Sequence, residues 1–400
     1  MVAEPPQTLP PHDSSKPSSG WAAVILSSSA LALTLTGDQL LYVVLPLEAA
    51  SFGLSLVWVG ILLSANRWIR VLLYGEVARI GDRLGSRRLT IVACIGAVVS
   101  TLAYAVLDGG PALLVARIVW GLSFAALNLT TLVYAVGGGP AMGRMIGVNR
   151  SLRTAGQAVA AALGGWIAIS LGPREAFFAM TALTVVAVPL AWMLPRHEPI
   201  AAQPRPPARG WRYFVPSPFN LFSFGLLLAG EGVFTFTVGL LFAEDADTKT
   251  ALLSAGIAVA ARHMVIILIS PLSGLIADRF GARATVIASS AFVILGFALI
   301  PLGATLAGVI VLLLARGVMA VVSPVLVAQQ IRANTSGNVM HALSANATWS
   351  DLGAAVGPLL AGFSIGVISL DLLYAATAVL LALLCGVWLA LERRVTAQSC

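Results

Sequence analysis

Charge is what this sequence lacks most. Only 10% of its 400 residues are Asp, Glu, Lys or Arg, against about 25% in an ordinary soluble domain. With 58% hydrophobic residues and a mean hydropathy of +0.92, too few charges remain to cover the apolar surface of a water-soluble fold. A soluble enzyme and a disordered scaffold are both excluded. Cysteine is scarce as well: Cys94, Cys385 and Cys400 give neither a disulfide framework nor a metal spacing, and the first two sit in apolar runs as buried, inert thiols. No Ser/His/Asp or Cys/His set lies outside the apolar stretches, so a membrane-embedded enzyme is excluded too, and no cofactor or metal is expected. Lysine is nearly missing. Lys16 and Lys249 are the two among 24 basic residues, a usage that fits a GC-rich bacterial genome and hence a bacterial inner membrane.

What is present is a series of apolar runs. A membrane helix needs about 20 mostly apolar residues. Twelve stretches qualify: 21–47, 56–79, 88–107, 111–136, 147–171, 175–194, 217–242, 251–276, 284–303, 305–329, 341–367 and 369–391. The runs are continuous rather than alternating, which excludes a β-barrel. Residues 1–20, rich in Pro and Ser, read as a disordered cytoplasmic tail. Residues 195–216 form a polar linker between a bundle over 21–194 and a second over 217–391, and 392–400 form a short cytoplasmic tail. The expected class is an all-α integral membrane protein of twelve helices in two six-helix bundles.

The net charge of +7 is topological. With the N-terminus in the cytoplasm, seventeen basic residues fall in cytoplasmic segments, two in outer loops (Arg174 and Lys249) and five inside spans. That bias puts both termini inside by the positive-inside rule. It also removes nucleic acid as a partner and leaves the lipid bilayer.

The two halves repeat one another. Asp82-Arg83-Leu-Gly85-Ser-Arg87-Arg88 after span two matches Asp278-Arg279-Phe-Gly281-Ala-Arg283 after span eight. Leu113 to Arg117 matches Leu312 to Arg316, Gly156 and its small neighbours match Gly353 to Gly362, and Gly37-Asp38 matches Gly230-Glu231. All four pairs are offset by between 193 and 199 residues. Two homologous halves around a central site is a transporter architecture. The loop after span two resembles the hallmark motif of the major facilitator superfamily, Gly-x-x-x-Asp-Arg-x-Gly-x-Arg-Arg, with Ala78 at the first glycine. Arg117 with Gly121 resembles the fourth-helix motif of proton-coupled members. The glycine pattern of span five resembles that of drug:proton antiporters, although its Gly-Pro is Ala160-Ala161 here and the better copy, Gly357-Pro358, lies in span eleven. The resemblance implies alternating access between the bundles, driven by protons and by a monomer.

On that resemblance the two Asp loops are cytoplasmic gates. Each aspartate can accept hydrogen bonds at a neighbouring helix N-terminus. Asp278 is expected near Arg150 and Arg153 at the start of span five, and Asp82 near Asp351 at the start of span eleven. Arg83, Arg87 and Arg88 can pair across to acids of the other half. The positive-inside rule alone also accounts for these charges.

Ionisable groups near span midpoints are the most informative. Arg67, Arg70, Arg117, Arg262 and Arg316 lie inside apolar runs. A central Arg costs about 2.5–3.5 kcal/mol on the insertion scale, so such groups face a wet cavity or acid partners. Helical spacing puts Arg67, Arg70 and Tyr74 on one stripe, and Arg117, Trp120, Phe124 and Asn128 on another. Asp38–Arg117 is the best ion pair, and Glu231 can pair with Arg262 or Arg316. The expected proton-coupling set is Asp38, Glu231 and Arg117. The expected substrate set is Arg67, Arg70, Tyr74, Arg262, His263, Arg316, Asn128 and Trp120. A cavity for lipophilic cations leans acidic and this one leans basic, which suits a small solute with an anionic or zwitterionic group. Export by proton antiport is the first reading. Import of an anionic metabolite or chelate, multidrug export, and a transport-inactive sensor or assembly factor are the alternatives.

Overall fold

The computed structural model describes residues 19–45, 48–137, 141–195, 215–238, 240–242, 248–333, 338–365 and 367–398. It contains twelve long helical segments: α1 (Ser19–Val44), α2 (Leu56–Leu84), α3 (Ser86–Val106), α4 (Gly110–Val136), α5 (Met142–Leu171) and α6 (Pro173–Trp192), then α7 (Pro218–Thr237), α8 (Thr248–Phe280), α9 (Ala282–Leu299), α10 (Thr305–Ala333), α11 (Val339–Ile365) and α12 (Leu370–Gln398). There is no strand among the described residues. Eleven of these helices are long and apolar enough to cross a membrane. The exception is α11, whose first half carries His341, Ser344, Asn346, Ser350 and Asp351. Most of the expected tail and linker lie outside the described residues.

Helices begin and end where local chemistry dictates. Ser55 caps α2 by accepting from the Trp58 amide, and Ser217 caps α7 through Asn220, each satisfying a donor that the first turn leaves free. The α2–α3 and α8–α9 corners turn on Gly85 (φ 77°) and Gly281 (φ 85°), a backbone region that side-chain-bearing residues disfavour. That is the conformational reason for the matched glycines of the repeated loop. Gly172 likewise separates α5 from α6. Two helices are irregular. α6 breaks between Val185 and Ala187. α7 passes into π turns over Leu228–Phe234, which centre on Glu231.

Lipid tails are as apolar as leucine, so apolar side chains give little drive for helices to associate in a bilayer, and close backbone packing does the work instead. Ile169, Leu302, Phe363 and Val367 are accordingly exposed. The repeated glycine stretches make the close approaches. A side chain at Gly156 would collide with Ala32 of α1, and one at Gly357 with Gly232 and Leu228 of α7. Thus α5 packs on α1 and α11 packs on α7, equivalent pairs of the repeat. Between the first six helices and the last six, α5 lies along α8 and α2 along α11. The α5–α8 seam is backbone to backbone, Gly143 against Gly274 and Gly147 against Ser270 and Pro271.

Helix ends differ from expectation at several places, and one shift matters. α5 starts at Met142 rather than 147, so Arg150 and Arg153 stand more than two turns inside a helix instead of in a cytoplasmic segment. α11 starts at Val339, which puts Asp351 more than three turns in. Taking the two arginines out of the seventeen leaves the charge bias standing. α12 runs on to Gln398, so most of the expected tail at 392–400 is helix. Cys94 and Cys385 are buried and unpaired as expected, and Cys400 is outside the described residues.

Candidate functional site

At the end of the bundle where α1 begins and α12 ends, the repeated loops bring the two sides against each other. Asp278 accepts from the amides of Gly143 (2.7 Å) and Arg144 (3.0 Å) at the start of α5, and the Arg144 guanidinium is 3.5 Å away. Asp82 meets the start of α11, accepting from Asn338 Nδ2 at 2.9 Å and contacting His341 Nε2 at 2.7 Å. Both aspartates therefore reach the predicted helix starts, through other residues than expected. The groups at these starts are Gly143 and Arg144, not Arg150 and Arg153, because α5 begins ahead of its apolar run, and Asn338 and His341, not Asp351, which lies well inside the run that begins at 341. Nor do the loop arginines reach acids across the gap as expected. Arg87 donates to the Trp192 carbonyl of its own half, Arg83 and Arg88 are exposed, Arg279 lies over Phe280, and Arg283 pairs with Glu392 at 3.2 Å. Glu76 pairs with Arg79 one turn along α2.

Polar contacts across the two sides continue toward the middle of the helices. Ser151 on α5 donates to the Ile267 carbonyl on α8 at 2.5 Å, and Arg67 on α2 to the Ala354 carbonyl on α11 at 2.5 Å. Asp351 on α11 takes Arg70 Nε at 2.8 Å and the Tyr74 hydroxyl at 3.0 Å. Arg70 also donates to Asn66 Oδ1 at 3.2 Å. Its guanidinium lies 4.5 Å from the centre of the Phe124 ring, and the Arg153 guanidinium lies 4.8 Å from the same ring. Arg153 donates to Asn128 Oδ1 at 2.8 Å. Trp120 packs on Phe124 and is buried in the core.

The duplicated acid–arginine pair appears twice and is used differently. In the first half Asp38 pairs with Arg117, whose remaining donors go to the Leu62 carbonyl (2.9 Å) and the Tyr42 hydroxyl (2.9 Å). This pair is sealed: the Arg117 side chain is 0% exposed and Asp38 7%. In the second half one oxygen of Glu231 takes two arginines, Arg262 Nη2 at 2.6 Å and Arg316 Nη2 at 2.8 Å. The side chains of this trio are 15–21% exposed. Gly230 makes room for it, since a side chain there would strike the Arg316 guanidinium. Arg316 Nη1 and Arg150 Nε make no hydrogen bond within the described residues. Glu231 also interacts electrostatically with Arg67 and Arg150. His263, next to Arg262 on α8, is half-buried.

Charge balance at the centre is therefore more one-sided than the sequence implied. Arg150 and Arg153 join Arg67, Arg70, Arg117, Arg262 and Arg316, making seven. The carboxylates are Asp38, Glu231 and Asp351, so four positive charges are in excess. Sequence reasoning missed Arg150 and Arg153 because span five was begun at residue 147 and their charge was assigned to a loop. Their spacing from Gly156, the packing glycine, was the available signal.

No curated protein sequence matches the chain. Solved structures match it over nearly its whole length. They include the human organic anion transporter MFSD10 (TETRAN), 18% identical with a TM-score of 0.76 over 92% of this chain and 99% of that one. The proton:xylose symporter XylE bound to 6-bromo-6-deoxy-D-glucose is 14% identical, with a TM-score of 0.71 over 92% and 94%. FucP in the outward conformation is 11% identical, with a TM-score of 0.73 over 91% and 97%. These likenesses establish the fold. The model of the Major Facilitator Superfamily matches residues 27–340, most of the chain, which belongs to that superfamily and is a multi-pass membrane transporter rather than an enzyme.

Proposed function

We propose that the chain is a proton-coupled secondary transporter of a small organic solute bearing an anionic or zwitterionic group, working as a monomer by alternating access in a bacterial inner membrane with both termini cytoplasmic. One observation carries the substrate class: the excess of arginines over carboxylates at the centre, with donors of Arg316 and Arg150 to spare. A buried, unpaired charge in a bilayer is costly, and an oxyanion that takes two forked guanidiniums removes that cost while gaining directional hydrogen bonds. The human neighbour is described as an organic anion transporter, but at that identity the reading rests on the arginines. The span-four and span-five patterns favour antiport and export. Import by cotransport is the second reading, favoured by the way Glu231 is held.

The test uses purified chain in liposomes with a pH-sensitive dye inside. Tetraphenylphosphonium, alanine, salicylate and succinate are added in turn to wild type, Arg262→Ala and Asp38→Asn. Proton movement driven by the anions or the zwitterion and lost in both variants is expected. A response confined to tetraphenylphosphonium and indifferent to Arg262 would make the chain a lipophilic-cation exporter. No proton movement with any of them would favour a transport-inactive sensor.

A further inference from the structure

Glu231 and Asp38 are repeat equivalents, yet their settings are opposite in kind. Asp38 has one arginine, whose other donors are used on Leu62 and Tyr42, and the pair is sealed. Glu231 has two arginines, converging on a single carboxylate oxygen, and Arg316 Nη1 is without an acceptor among the described residues. Two forked cations on one carboxylate oxygen, with side chains 15–21% exposed, is the arrangement that a bound oxyanion would take. Here the oxyanion is tethered to the chain by its own glutamate. It sits on π turns, where the regular i to i−4 ladder is already interrupted and local rearrangement is easier than in an unbroken helix.

We infer that Glu231 is a built-in competitor for the transported anion. This inference rests on the anion reading above. An incoming carboxylate or phosphate oxyanion displaces the Glu231 side chain from Arg262 and Arg316. Freed from two cations and still largely buried, the glutamate takes a proton from the aqueous side on a carboxylate oxygen, and no other bond forms. Two guanidiniums and one carboxylate carry a charge of +1. Two guanidiniums, a neutral glutamic acid and a bound monoanion also carry +1. The exchange conserves the charge of the site, so the loaded and empty carriers meet the membrane field alike. Binding of anion and proton is then mutually favourable, which by reciprocity makes each raise the affinity of the other. Both travel in the same direction, which selects the second reading above, cotransport, over the exchange that the span-four and span-five patterns favour.

Other charges face Glu231 from each neighbouring helix. They are the guanidiniums of Arg67 on α2 and Arg150 on α5, beside those of Arg262 on α8 and Arg316 on α10. α11, packed against the π turns, carries Asp351 and His341, which are occupied by Arg70 and Tyr74 and by Asp82. Loss of Arg262 and Arg316 to the substrate removes the two contacts nearest the carboxylate, and these decide the outcome.

The experiment uses purified full-length protein in weakly buffered detergent solution, with salicylate, succinate and inorganic phosphate as probes. Calorimetry gives the dissociation constant, and a pH indicator counts protons. For wild type, about one proton should be taken up per monoanion bound, and affinity should fall by roughly tenfold per pH unit above the point where Glu231 loses its proton. Glu231→Gln, which frees both arginines without a charge, should bind about tenfold or more tightly at pH 8, with no proton uptake and no pH dependence. Proton release, or binding by wild type without proton uptake, overturns the inference. So does a Glu231→Gln variant that binds more weakly or keeps the wild-type pH dependence, and so does loss of that dependence in Asp38→Asn alone. Failure of all three probes to bind wild type at any pH instead overturns the anion reading, and the inference with it. Should Glu231→Gln not fold, the wild-type proton count decides by itself.

Discussion

Replacing Asp351 by asparagine removes the carboxylate that joins α11 to α2 across the two halves. Arg70 Nε at 2.8 Å and the Tyr74 hydroxyl at 3.0 Å lose their charged acceptor. Arg70 is 8% exposed, shares the Phe124 ring with Arg153, and keeps its hydrogen bond to Asn66. Stripping one partner from a buried pair costs about 3–5 kcal/mol. The Asp351 side chain is 21% exposed and asparagine can still accept, so about 2–3 kcal/mol is the proper scale here. The penalty falls on the state in which the two halves touch along this seam. It therefore shifts the equilibrium toward the state opened at the termini end by roughly 30- to 150-fold. Met340 is buried at 6% against Gly81 of the other half and can report this. In a protein lacking its native cysteines, Met340→Cys should react with a water-soluble thiol reagent at a rate that rises by that factor, until the open state dominates. The double variant Arg70→Gln, Asp351→Asn should react several-fold more slowly than Asp351→Asn alone, because no uncompensated charge is left. Equal rates in the single and double variants, or no change from the parent, would refute the account of Asp351 as the charged tie between α2 and α11.

Asp278→Asn weakens the cap on Gly143 and Arg144; a lost helix cap costs about 1 kcal/mol, so the same thiol assay should speed up roughly fivefold. Arg117→Lys replaces a fork serving Asp38, Leu62 and Tyr42 with a single ammonium that cannot reach all three; thermal unfolding in detergent should fall by several degrees and anion-driven proton movement should be lost. Gly232→Leu would drive a side chain into the Gly357 backbone, so size-exclusion chromatography should show an aggregated or poorly folded product, whereas Gly60→Leu, with nothing within 4 Å of a side chain there, should elute as wild type.

The twelve-helix architecture was legible because bilayer thickness sets helix length and apolar runs record it directly. The Asp38–Arg117 pair was legible for another reason, that ionisable groups inside apolar runs have few partners, but for Glu231 the sequence offered Arg262 or Arg316 and not the convergence of both. Helix starts were not legible. Met142 and Val339 begin helices among polar residues, where hydropathy gives no edge. The late start given to span five moved Arg150 and Arg153 from the centre to the rim, whereas Asp351 was set at the rim although its run already began at 341. The π turns around Glu231 left no mark in the apolar pattern, since Leu228 to Phe234 reads as an ordinary helical run.

Phe124 has a consequence for how the protein must open. Its ring is shared by a guanidinium from α2 and one from α5, and these two helices hold the separate seams to α11 and to α8. A neutral π face lets two like charges sit close, since each is attracted to the ring. It also ties one seam to the other. If α2 swings away from α11, Arg70 pulls at the ring that also holds Arg153 of α5, the helix seated on α8. The two seams should thus part together rather than in turn, with Phe124 acting as the hinge pin of a single door and not as one of two independent latches.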